Sequence, residues 1–84
     1  MNLYLISQSM NDDYDTYDSA VVAAANEKTT RFMNLGNGKK MTKREWSYSY
    51  SIWCNKPEYI NVKLIGEAAP HINEGVICSS FNTE

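Results

Sequence analysis

Between Trp46 and Ile52 the chain alternates strictly: Trp46, Tyr48, Tyr50 and Ile52 stand on one parity, Ser47, Ser49 and Ser51 on the other. A period of two is that of a strand, whose successive side chains point to opposite faces. The run therefore predicts a half-exposed strand with one aromatic face and one nearly bare face. Its aromatic face is either the inner surface of a sheet or a stacking surface for a ligand, and the serine face is one that another subunit could cover closely.

Shorter strand signals surround it. Leu3, Tyr4, Leu5 and Ile6 form an apolar run that stops at a polar stretch, and their facing both ways suggests a strand buried on two sides. Residues 19–25, with Ala20, Val21 and Val22, fit a second strand paired back on the first as a hairpin. Asn26 is a good N-cap, Glu27 and Arg31 complement the helix dipole at its two ends, and Gly36 supplies a stop, so residues 27–34 read as a two-turn helix. Phe32 and Met33 are its expected contacts with the sheet. Residues 35–44 read as a mobile basic loop. Residues 59–65, with Val62 and Leu64 opposite Asn61 and Lys63, resume a strand, and Val76, Ile77, Cys78 and Phe81 mark a last one. The predicted fold is α+β, a small antiparallel sheet of about five strands with one short helix after the second, in the order β-β-α-β-β-β. With 84 residues there is room for a single domain, 1–84, and one hydrophobic core. A core of that size commonly needs a staple, and self-association is the expected one.

The formal net charge is -2. Duplex nucleic acid is thereby disfavoured, because neutralising its phosphates takes a clear excess of clustered Lys and Arg; a compact nucleotide ligand is not. Cys54 and Cys78 are too few for a disulfide scaffold, and no charged-then-apolar leader precedes Leu3, so the cytoplasm is the expected compartment. No apolar run approaches the length of a membrane span.

Catalytic signatures are missing from the sequence: there is no Gly-rich phosphate loop, nucleophile elbow or HExxH, and no catalytic residue or cofactor is expected. Asp13, Asp15 and Asp18 begin like a calcium loop, but Tyr17 stands where an oxygen ligand is required and the closing glutamate is absent. A solvated turn whose Asp side chains cap local backbone explains them better. His71 has no Cys or His neighbour to form a zinc site, and Cys78, in an apolar run, reads as a small core residue. Tyr14 and Tyr17 in the acidic turn are amphipathic contact residues of the kind enriched at interfaces. Lys39, Lys40, Lys43 and Arg44 place a basic stretch beside the aromatic run, a pairing that suits anion attraction with base stacking.

The strings Tyr14-Asp15-Thr16-Tyr17-Asp18-Ser19-Ala20-Val21-Val22, Gly66-Glu67-Ala68 and Gly75-Val76-Ile77-Cys78-Ser79-Ser80-Phe81-Asn82 resemble a group of small proteins encoded in phages and prophages. The stretch 39–44 departs from that group. The resemblance implies an anti-defence role in a bacterial host cell. Such a protein either binds a defence protein, as anti-CRISPR proteins do, or sequesters a nucleotide signal, as Thoeris anti-defence sponges do; the likeness to the sponges is one of size and type and transfers no ligand residue. The first expectation is a homo-oligomer that captures a cyclic or ADP-ribose-like nucleotide between subunits. In it Arg31 or Arg44 meets phosphate, Trp46, Tyr50 or Trp53 stacks on a base, and Asn82 or Asp18 reads polar edges. The second is a protein inhibitor whose Asp12, Asp13, Tyr14, Asp15 and Tyr17 face a basic host surface, the carboxylates mimicking nucleic acid. A structural phage component is the third.

Overall fold

A computed structural model of the chain describes residues 1–10, 16–48, 53–54 and 56–82. The strands are β1 (Asn2–Ser7), β2 (Thr16–Ala24), β3 (Asn61–Glu67) and β4 (Gly75–Asn82); between β2 and β3 the described residues include helices α1 (Glu27–Arg31) and α2 (Lys43–Tyr48) and a 3-10 turn, Pro57–Tyr59. They form one four-stranded sheet in the order β3-β1-β2-β4, antiparallel throughout. The α+β class stands; the described residues hold four strands rather than the five expected, and a second helix.

The predicted strand over 46–52 is corrected by α2, which takes Trp46 and Tyr48 into a helix; Tyr50 and Ile52 lie outside the described residues. The cause is a capping box. The Thr42 hydroxyl accepts from the Glu45 N–H at 3.1 Å while the Glu45 carboxylate accepts from the Thr42 N–H at 2.8 Å. Two backbone donors that a helix start leaves unpaired are thus satisfied reciprocally, and local hydrogen bonding outweighs a pattern that alternation alone cannot enforce. The first helix is also shorter than the predicted 27–34. Asn26 caps it as expected, accepting from the Thr29 N–H at 2.8 Å, but it ends at Arg31 because Met33 turns away to form a bridge with Lys40.

Of the loop expected over 35–44, residues 35–40 lie in a hairpin that spans 33–40 and Lys43 and Arg44 lie in α2. The Asn34 N–H donates to the Lys39 carbonyl at 2.7 Å and the Met41 N–H to that of Phe32 at 2.6 Å, while Leu35 and Met41 are buried. Gly38 turns it with φ +74, and a side chain there would stand 3.3 Å from the Gly75 Cα, so the turn needs glycine on two counts.

One face of the sheet is covered. Tyr4, Ile6, Ala20, Val22 and Ala24 pack beneath Met33, Leu35, Met41, Trp53, Cys54 and Ile60. The sheet brings small side chains on β2 and the overlying segment brings large ones, which fills the layer between them. The opposite parity carries Leu5 facing Val21 and Val21 facing Cys78. Cys78 is exposed there, not the core residue expected, because its position falls on the uncovered face. No helix among the described residues is long and apolar enough to cross a membrane.

Trp53 is 1% exposed and the largest fully buried side chain. Trp53→Ala should lower unfolding free energy by about 3–5 kcal/mol, read as a shift in the urea midpoint; a loss under about 1 kcal/mol would mean that the overlying segment is not anchored there.

Candidate functional site

The 33–40 hairpin and α2 form one unit. The Asn34 side-chain amide donates to the Glu45 carboxylate at 2.7 Å, on the oxygen not used by Thr42. Asn34 also accepts from the Gly36 N–H at 2.7 Å, and Asn37 from the Lys39 N–H at 2.9 Å, which closes the turn. The effect is to tie the hairpin that carries Lys39 and Lys40 to the helix that carries Lys43 and Arg44, all four of them exposed. These are four of the eight Lys and Arg residues in the chain, so half of its positive charge lies on this unit. Trp46 is half-buried one turn on, edge-on to Phe32 with ring centroids 6.3 Å apart, and Tyr48 is exposed at the end of α2. Arg44 and Trp46 are two residues apart on α2 and so turn to different sides of the helix, where a strand would have set them on one face; the helix instead places Lys43 near Trp46 and Arg44 near Tyr48, three and four residues on.

Arg31 has a different task. Its guanidinium donates to the Pro57 carbonyl at 3.1 Å and to that of Ile60, and it pairs with Glu27 at 3.8 Å. It clamps α1 to the turn that leads into β3, and its donors face main-chain oxygens. Trp53 is inside the core, out of reach of a base. Tyr50, Asp12, Asp13, Tyr14 and Asp15 lie outside the described residues.

A second group assembles where β2 begins and β4 ends. Thr16 registers with Asn82 and Tyr17 with Phe81, the two rings meeting edge-on at 4.9 Å. Asp18 is the extra residue of a bulge between these pairs and the next, exposed, with its carboxylate accepting from the Ser19 hydroxyl at 3.3 Å. Buried Gln8 fixes the bulge: its N–H donates to the Asp18 carbonyl at 3.2 Å and its side-chain amide to that of Tyr17 at 3.0 Å. Asp18 and Asn82 thus share one end of the sheet. Glu45 and Gln8, which position these groups, do not stand out in the sequence; Thr42-x-x-Glu45 is a readable signal for the first, whereas nothing local marks the second.

The uncovered face holds a shallow open depression of about 170 Å³, bordered by Leu5, Ser19, Val21, Cys78, Ser79 and Ser80. Ligand pockets for drug-sized molecules run to roughly 300–1,000 Å³, so this hollow in one protomer cannot enclose a nucleotide. Among the described residues no three His, Cys, Asp or Glu side chains gather as a metal site. Comparison with family models, with curated proteins and with solved structures finds no match to this chain.

Two predictions arise from these groups. The Thr42 N–H, the Thr42 hydroxyl and the Asn34 amide hold the Glu45 carboxyl below its ordinary range, against a smaller opposing effect of desolvation. A depressed folded value contributes stability above the unfolded one and loses it as pH falls through the folded one. Acidification through the carboxylate range should therefore loosen α2, seen as exchange of the Thr42 and Trp46 amides, and Glu45→Gln should flatten that response. Burial pushes the Cys54 thiol up, and its Sγ donates to the Lys56 carbonyl at 3.4 Å. A thiol-reactive chromophore should label Cys78 in the native protein and Cys54 only after unfolding; rapid labelling of both would contradict this packing.

Proposed function

We propose that this chain is a binding protein, without a reaction of its own, that works as a homo-oligomer and sequesters a nucleotide-derived immune signal, cyclic or ADP-ribose-like. In this reading it is a phage-encoded anti-defence factor acting in the cytoplasm of a bacterial host. The observation that carries it is the Asn34–Glu45 hydrogen bond, which ties the hairpin bearing Lys39 and Lys40 to the helix bearing Lys43, Arg44, Trp46 and Tyr48, with all four cations exposed. Cations on a braced hairpin meet phosphate oxygens with little ordering cost, and adjacent aromatic rings offer stacking to any base. Arg44 is the phosphate partner and Trp46 the stacking residue; Arg31 and Trp53 serve the fold.

Asp18 beside the Tyr17–Phe81 ring pair supports a second reading, a protein inhibitor that presents the acidic turn to a basic host surface. There Tyr17 is an anchor and the carboxylates set the approach.

Calorimetric titration with cyclic dinucleotides and ADP-ribose derivatives separates the two. Lys43→Ala with Arg44→Ala should weaken nucleotide binding by about tenfold or more and flatten its salt dependence, since charge-assisted bonds contribute roughly 1.5–3 kcal/mol each. Affinity unchanged by that pair would remove the site. Binding to a host protein that Asp18→Asn weakens, with no nucleotide bound, would favour the inhibitor.

A further inference from the structure

The four-stranded sheet ends in two unlike edges. β3 carries Lys63 and Glu67, and its pairing with β1 is broken by the extra residue Ile65, features that blunt an edge against further pairing. β4 shares the bulge but lacks the charges. It spans Gly75–Asn82 without a charged residue or proline, its one extra residue, Ile77, lies near its start, and residues 77–81 are all exposed. Among the described residues it pairs with β2 alone, and no other described strand lies on its outer side.

We propose that β4 pairs antiparallel with the β4 of a second copy about a two-fold axis at Ser79. In a two-fold pairing of identical strands, residues equally distant from the axis meet. Ile77 and Phe81, 47% and 41% exposed, each lie two residues from Ser79. Each therefore meets the other across the axis, twice in the dimer, as an aromatic–β-branched pair of the kind that stabilises sheets. Charge supports the same occupant: near such an axis any ionised residue approaches its own copy, and β4 has none to oppose. The two sheets become one continuous sheet, with the apolar strips of Leu5, Val21 and Cys78 side by side on one surface. Ser79 also borders the shallow depression, so the axis runs beside it. The interface deepens the homo-oligomer part of the function proposed above and uses none of its ligand residues, so a dimer that ignores nucleotides and a monomer that binds them are separate results.

Sedimentation velocity on the full chain tests it, with Ser79→Lys and Ser79→Glu measured alone and mixed. The wild type should be a dimer. Each variant alone should stay folded by circular dichroism and dissociate at least about tenfold more readily, because like charges meet at the axis; mixing the two should restore the dimer. A wild type that stays monomeric at near-millimolar concentration overturns the proposal, as does a Ser79→Lys protein that dimerises normally or a mixture that shows no rescue. Should the charged variants fail to fold, Ser79→Cys in a Cys78→Ser background tests the same axis. Mild oxidation should then yield a covalent dimer, and its absence counts against the axis.

Discussion

Helices of five and six residues cannot hold themselves together in water, so the whole segment laid over the sheet depends on apolar burial against it. Trp53 and Ile60 near its end, and Met33, Leu35 and Met41 near its middle, sink into the face formed by Tyr4, Ile6, Ala20 and Val22. Because these anchors are scattered along a connection with little regular structure, the path between them is set by side-chain volume more than by backbone repetition. The basic hairpin and α2 inherit their position from Met33, Leu35 and Met41, which fasten both flanks of that unit.

Polar contacts then fix what burial leaves loose. Arg31 satisfies carbonyls at the turn before β3, Gln8 those at the β2 bulge, and Glu45 ties a helix start to a hairpin. Each is a case of a main-chain or side-chain group finding a partner away from bulk water. The division of labour has a functional consequence. An arginine that reads in sequence as a phosphate ligand is used by the fold, while Lys39, Lys40, Lys43 and Arg44 remain on the surface, where phosphate oxygens can reach them.

The alternation at 46–52 illustrates how a tertiary outcome can be misread from periodicity. Trp46 and Tyr48 satisfy a period of two, yet Thr42 and Glu45 three residues apart start a helix, and Phe32 receives the Trp46 ring edge-on. A capping box is a local arrangement of four residues that forms without reference to the rest of the chain, whereas alternation stabilises a strand only when a neighbouring strand is there to pair with it. Cys78 departs from its expected place for a related reason: an apolar run shows that a strand exists and not which of its faces will be covered.

The α+β class, the approximate places of β1, β2, β3 and β4, the Asn26 cap, and the basic and aromatic stretch at 39–48 are legible in the sequence, because each rests on residues close together in the chain. Three features are not: that β1 and β2 lie at the centre with β3 and β4 at the edges, that one face is buried and the other open, and that Arg31 and Trp53 belong to the fold. These emerge only in three dimensions, since they join residues dozens of positions apart, such as Arg31 to Ile60 and Val21 to Cys78. Strand order and burial are selected by the free energy of closing the entire layer, to which no short window of sequence contributes independently.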